Sequence, residues 1–442
     1  MNARFAVLLV VVAVGVCVMS PLTAWFAIAI VAVVGLLVRG LDSAERRVVI
    51  AIVAVAVALR LVAIAALFLT ADHTRMPFAT LFADEDYFLK RSLWLRSVSL
   101  GMNVHRFDLE YAFEPNGSSS FISLLAAIQT LIGPAPYGLH LLSVAIYVGA
   151  VLLLFRVARG SFGRAPALVG LVVLLFLPSL FAWSIAVLKE SPFVLLTATA
   201  LALAATLART ASWTTRVFAV AGISIIAGVV QTLRTDGGSF VVAATVAGLT
   251  LGYILERPRL FVAVLVAAPI VTALVLRVPE VQLRAFVALQ RAARQHWGAV
   301  VVSPGISYKL LDDRFYSDVN AASDLRAGEA ARYVMRGAVA FAAFPLPWRA
   351  ESRAAVAYIP EQVIWYVLAA LAAIGLATAF RRDPHVAALF VAYAGLLAIG
   401  AALTDGNIGT LVRHRGLTLP YLVWFGGVGA CEILTQTETR WL

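Results

Sequence analysis

Cysteine is nearly absent from this chain. The two present, Cys17 and Cys431, both lie inside apolar segments, which excludes a disulfide framework and a cysteine metal site. Charge is scarce too: 13% of the 442 residues are charged, against 62% hydrophobic. There is no polar stretch of domain size, no clear internal repeat, and no His/Asp/Glu set with metal-ligand spacing. A glycine-rich phosphate loop for a nucleotide is also missing, which argues against a sugar nucleotide as substrate.

What the chain has instead is apolar length. The mean hydropathy is +0.92, and continuous rather than alternating apolar segments exclude a β-barrel. Segments 5–19, 22–38, 48–70, 138–156, 165–187, 191–207, 217–233, 239–255, 260–276, 361–379, 386–403 and 416–434 approach the length of a membrane span. The expected fold is an all-α polytopic membrane bundle of about 12 spans. The first run follows Arg4 and has a poor cleavage site at Ser20-Pro21, so it reads as an anchor. Four regions follow: a hairpin over 1–47, a core over 48–276 with a loop at 71–137, a loop over 277–360, and C-terminal spans over 361–442.

The net charge of +11 comes from arginines in short connections and long loops, so topology and anionic membrane lipid explain it better than nucleic acid. Arg39, Arg46 and Arg47, then Arg156, Arg159 and Arg164, then Arg209 and Arg216, Arg257 and Arg259, and Arg381 and Arg382 fall at alternate connections. All share one side only if 119–132 does not cross. That segment is short and ends at Gly133-Pro134-Ala135-Pro136, so it reads as an interfacial helix. Both termini are then cytoplasmic. The Ala, Val and Arg richness suggests a bacterial inner membrane.

The opposite face collects the unusual polar residues. Asp84, Glu85 and Asp86 stand in a row with Tyr87 beside them. Neighbouring carboxylates disfavour one another's charge, which suits a base that takes a proton from a hydroxyl. A solvated acidic turn is the plainer alternative, although Phe82, Tyr87, Phe88 and Leu89 are poor company for one. Asp84 and Asp86 also suit a divalent cation shared with a phosphate.

Lys189-Glu190 opens a span, where lysine and the helix dipole favour an anion and the glutamate orients the lysine. Arg234 precedes Asp236, Gly237 and Gly238, a guanidinium beside glycines that let a ligand approach the backbone. Asn407 leads to Arg413, His414 and Arg415, cations suited to a departing phosphate. For these three clusters the alternatives are, in order, a salt bridge, an interfacial anchor and snorkelling side chains. Arg60 lies within a span and needs a partner. Over 281–297, Arg284, Arg291 and Arg294 alternate with Val281, Phe286, Leu289 and Trp297, which predicts an amphipathic surface helix.

One run of these motifs resembles the GT-C superfamily of lipid-linked-sugar glycosyltransferases, which includes protein mannosyltransferases and aminoarabinose transferases. The run covers roughly residues 48–207 and starts with a span holding Ala58 to Leu61. Asp84, Glu85 and Tyr87, a short helix, and a span ending in Arg156, Arg159, Phe162, Gly163 and Arg164 complete it. The resemblance implies that Asp84 is the base that activates the acceptor, with Asp86 an added carboxylate. Two features depart from the family pattern: Lys189, and Glu114-Pro115-Asn116-Gly117 at the start of the short helix. The reaction it implies is inverting transfer of a sugar from a polyprenyl-phosphate donor to a glycan, lipid or protein acceptor. Two alternatives stand beside it. One is a Wzy-type polymerase or ligase, whose Arg-x10-Gly spacing Arg326 and Gly337 share. The other is a flippase or transporter.

Overall fold

A computed structural model describes residues 21–70, 72, 81–113, 119–134, 136–303, 306–317, 325–349 and 356–441. The expected span 5–19 lies outside them. The described residues form helices and one isolated bridge between Ser307 and Asn407, with no named strand. The helices are α1 (Pro21–Leu37), α2 (Ser43–Thr70), α3 (Ala83–Ser99), α4 (Arg106–Tyr111), α5 (Ser120–Ile132), α6 (Pro136–Phe162), α7 (Arg164–Phe176), α8 (Pro178–Ser184) and α9 (Glu190–Arg209). They continue with α10 (Trp213–Leu233), α11 (Gly237–Leu255), α12 (Pro258–Val275), α13 (Pro279–Val301), α14 (Ala327–Ala343), α15 (Ile359–Arg382), α16 (Pro384–Thr404) and α17 (Ile408–Trp441).

Among the described residues, nine helices are long and apolar enough to cross a membrane, or ten if one bent pair counts as a span. Eight of the nine contain one of the expected segments whole, and the ninth, Pro258–Val275, holds all but the last residue of 260–276. The chain is therefore an all-α, multi-pass membrane protein.

Two expected spans differ. Helix α1 has 17 residues, roughly 26 Å of helix against a hydrocarbon core of about 30 Å. Segment 165–187 is broken into α7 and α8, which meet at 61°. Pro178 causes the break: it has no N–H for the helix ladder, and its ring crowds the preceding turn. The chain then runs non-helically from Ile185 to Lys189 before α9 begins.

The chain divides into two compact units, residues 1–160 with 171–243, and residues 161–170 with 244–442. In the first, α6 forms much of the core. Its arginines hold the turn between α1 and α2: Arg156 donates to the Leu37 carbonyl at 2.9 Å, and Arg159 grips buried Glu45 through two bonds of 2.8 and 2.7 Å. Helix α5, only 13 residues long, is tied to α3 by polar contacts. Arg96 donates to the Gln129 carbonyl at 2.9 Å, and the Gln129 amide donates to Ser92 at 2.7 Å.

In the second unit α17 packs against α15 and α16 through small residues. A Cβ on Gly375 would strike the Phe425 carbonyl and the Gly429 nitrogen, and one on Gly429 would strike the Leu371 carbonyl. Glycine is what lets these backbones touch. Thr245 and Tyr393 share a hydrogen bond of 2.8 Å between α11 and α16. Helix α13 is the amphipathic helix expected over 281–297. It buries Ala293, His296 and Val300 while Arg284, Arg291 and Arg294 stay exposed. Gly337 of α14 comes so close to α16 that a Cβ would meet the Ala402 carbonyl at 2.7 Å. That packing accounts for the glycine of the Arg326/Gly337 spacing.

Candidate functional site

In the first unit the polar residues gather around the non-helical stretch 185–189. Backbone without its own ladder is expensive in hydrocarbon unless protein groups satisfy it; two side chains do so here, and a third holds the residue just before it. Arg60 of α2 donates to the Ser184 hydroxyl at 2.9 Å. His140 of α6 bonds the Ile185 carbonyl through Nδ1 at 2.7 Å, and because a carbonyl only accepts, Nδ1 carries the proton. Glu85 of α3 accepts the Val187 N–H at 3.0 Å through one oxygen. Its other oxygen accepts the N–H groups of Leu81 and Phe82 at 2.9 and 3.0 Å, closing the first turn of α3. Arg60, Glu85 and His140 are at most 1% exposed.

Glu85 thus has a different job from the catalytic one suggested by its place in the acidic row: it fastens α3 to the stretch. Glu85→Ala is expected to lower stability by roughly 3 kcal/mol, because it strands the Val187 N–H in a dry interior and opens the cap. Thermal unfolding of the purified protein in detergent checks this, and an unchanged midpoint would remove the fastening role.

Asp84 and Asp86 flank Glu85 differently. Asp84 is exposed, whereas Asp86 is half-buried and its Oδ1 is a buried atom with no partner among the described residues. Two positions apart, they face different sides of α3. No group of three or more His, Cys, Asp or Glu suited to a metal occurs among the described residues.

Lys189 ends the pinned stretch with its Nζ 5.5 Å from the centre of the Phe88 ring. Phe88 lies one turn along α3 from Asp84. One turn into α9 from Lys189, Phe193 packs against Phe240 at 6.0 Å and carries the Arg234 guanidinium at 5.7 Å. The acidic row, Lys189 and Arg234 are therefore linked through two aromatic rings. Glu190 is buried in the first turn of α9. Tyr87 is half-exposed and stacks under Arg91 at 3.7 Å.

The glycines after Arg234 serve packing rather than ligand approach. A Cβ on Gly237 would meet the Val230 carbonyl at 2.7 Å, and one on Gly238 the Ala227 carbonyl at 2.6 Å. Asp236 before them has a positive φ of 63°. It makes the left-handed turn that lets α11 start directly against α10.

Arg60 has a partner, as expected, but not an acidic one in the bonds it makes. Besides Ser184, it donates to the Ala56 carbonyl at 3.1 Å and lies 4.7 Å from the Phe181 ring and 5.5 Å from the Tyr147 ring.

In the second unit the polar residues centre on the turn between α16 and α17. The Asn407 side chain accepts from the Gly409 and Thr410 N–H groups at 2.7 and 3.3 Å. The Ile408 N–H goes to Ile306 and the Leu411 N–H to the Asn407 carbonyl. Asn407 is thus a helix cap, and the first N–H groups of α17 are already used within the protein. Arg415 is 3% exposed. It donates at 2.6 Å each to the Gln362 side chain and to the Phe341 and Phe344 carbonyls. It anchors α17 to the end of α14 and the start of α15, while Arg413 is half-buried.

His414 bonds Asp405 from Nδ1 to Oδ1 at 2.7 Å, with the carboxylate side chain 3% and the imidazole 15% exposed. His296 of α13 bonds the Asp405 carbonyl at 2.6 Å through Nδ1, and its Nε2 lies 2.9 Å from the Tyr316 hydroxyl. Burial lowers the His296 pKa to about 4, the carbonyl bond and the Asp405 carboxylate opposing only in part. Burial and the Asp405 carboxylate push the Tyr308 phenol up.

The His296 shift has a defined sign. At pH above about 6.5 the ring is neutral in both folded and unfolded protein. As pH falls the unfolded chain takes the proton first, so stability declines until the folded ring titrates near 4. The loss is on the order of 3 kcal/mol. Unfolding midpoints across this window, compared with His296→Gln, check it; an equal slope in the variant assigns the loss to other groups.

His140, His296 and Gln362 had no role in the sequence reading, nor did Asp405 as a partner of His414. A single histidine in an otherwise apolar span was the one available signal for His140. No family model matches the chain, and no curated protein or solved structure matches it.

Proposed function

We propose that this protein is a membrane glycosyltransferase that moves a sugar from a polyprenyl-phosphate carrier to a hydroxyl acceptor, with Asp84 as the base. The observation that carries the reading is the placement of Lys189 against Phe88 and of Arg234 against Phe193 in the first unit. A carboxylate row lies one turn from an ammonium at Phe88, with Arg234 one ring further on. An inverting displacement needs a base for the attacking hydroxyl and cations for the phosphate that leaves. Asp84 suits the first task because it is exposed and stands in the first turn of α3. Lys189 and Arg234 suit the second, with Glu190, Tyr87 and Asp236 shaping their surroundings.

The bacterial inner membrane, cytoplasmic termini and an external site belong to the same proposal, as does a glycan or lipid acceptor. The test is transfer of labelled sugar from a set of polyprenyl-phosphate sugars by the purified protein in lipid. Turnover of any one donor supports the reading. If none turns over, and Asp84→Asn leaves cellular glycan output intact, it fails.

The 61° break between α7 and α8 favours a second reading, a lipid-linked-glycan flippase. Interrupted helices serve transport sites by exposing unladdered backbone to a substrate. Here that backbone is bonded to Glu85 and His140, which leaves the transferase reading ahead.

A further inference from the structure

We propose that Asp405 and His414 form an acid–base dyad in the second unit, a proton-transfer site for a hydroxyl-bearing ligand at the N-terminal end of α17. The inference stands apart from Asp84 and concerns residues of this unit alone.

The turn that holds Asp405 is fixed without its carboxylate. The Asp405 N–H goes to Ala401, the Tyr308 N–H to Gly406, and the Ile408 N–H to Ile306. His296 holds the Asp405 carbonyl. A Cβ on Gly406 would meet the His296 carbonyl at 2.6 Å, so α13 closes directly on the turn. Burying a carboxylate is costly, and the backbone needs no help from this one. Its Oδ1 is bonded to His414, while Oδ2 is a buried atom with no partner among the described residues.

A carboxylate on Nδ1 fixes the imidazole tautomer: Nδ1 keeps its proton and Nε2 carries the lone pair. This is the arrangement in which a base is oriented by a third group. In the step, the ligand O–H gives its proton to Nε2 and the electron pair stays on the ligand oxygen. The imidazolium formed is held by the Asp405 carboxylate and gives the proton back to the same oxygen, so the O–H bond is the one broken and remade. His414 is the catalytic residue and Asp405 its positioning residue.

The test uses the full chain in lipid nanodiscs and diethyl pyrocarbonate, which attacks a histidine lone pair, with peptides resolved by mass spectrometry. His414 is expected to react readily in the wild type. In Asp405→Asn the amide donates to Nδ1, moves the proton to Nε2 and slows modification by at least on the order of tenfold. His385, paired with Glu256 at 2.9 Å, keeps its rate, and buried His296 stays unmodified as the sign of an intact fold. Equal His414 rates in wild type and variant overturn the dyad.

Should Asp405→Asn expose His296, the wild-type ¹⁵N spectrum decides instead, with the His414 signal assigned by its loss in His414→Gln. A neutral ring protonated at Nε2 overturns the proposal. Failure of every sugar donor leaves the two spectroscopic and chemical readouts intact, so the dyad and the transferase reading fail separately.

Discussion

Asp84→Asn is expected to lower sugar transfer by two to four orders of magnitude, roughly 3–5 kcal/mol of activation free energy. Donor binding and the unfolding midpoint should stay near the wild-type values. Asparagine keeps the shape of aspartate and can still sit at the start of α3, and the change removes a favourable charge near a helix N-terminus. That is worth about 0.3–1 kcal/mol. In the proposed reaction donor affinity rests on Lys189 and Arg234, which the change leaves in place. Asp86→Asn is the matched comparison: it removes a carboxylate with one oxygen already buried, on a different face of α3. Single-turnover rates with pre-bound donor separate the two. A larger loss in Asp86→Asn transfers the role of base to Asp86, and an equal small loss in both removes the acidic row from the chemistry.

Gly429→Leu should yield no folded protein. A Cβ on Gly429 would strike the Leu371 carbonyl and Gly375 nitrogen of the facing helix, and one on Gly375 would strike the Phe425 carbonyl and Gly429 itself. Obstruction by flexible side chains can be relieved by a change of rotamer, but here the obstacles are main chain on both sides. Helices α15 and α17 would have to separate along their length, at a cost above about 4 kcal/mol. Gly395 is the control, since a Cβ there meets nothing within 4 Å. Gly395→Ala is expected to be neutral, or stabilising by up to about 1 kcal/mol through helix propensity. The check is the monodisperse fraction after extraction and size-exclusion chromatography. A monodisperse Gly429→Leu peak would mean that the α15–α17 crossing is not close-packed.

Hydropathy alone placed the nine long apolar helices, because in lipid the requirement for a span is set by length and polarity and hardly by partners. Pro178 announced the break in 165–187, though not its angle. The site was less legible. The acidic row, Lys189 and Arg234 stood out as costly residues near span ends, and the first unit links them through Phe88 and Phe193. Their neighbours were misjudged in kind. Glu85, Asn407, Arg415, Gly237 and Gly238 look like ligand-binding residues in the sequence, yet they satisfy helix ends, hold carbonyls or admit a close backbone. A linear sequence does not show which N–H or carbonyl lacks a partner until the chain has bent. The Asp405–His414 bond was hidden for a related reason: it links a helix C-terminus to the second turn of the next helix, across a turn whose geometry rests on α13 and residues 306–308.

The pinned stretch at 185–189 also has an order in time. Arg60, Glu85 and His140 all precede it in the chain, so synthesis delivers the three clamps to the membrane before the backbone they hold. When Ser184, Ile185 and Val187 leave the ribosome, their hydrogen-bond partners are already inserted. The least lipid-compatible piece of main chain therefore need not wait unprotected in the bilayer, and a clamp mutation should show first as a defect of biogenesis, with chains caught at the insertion machinery before any loss of activity is measured.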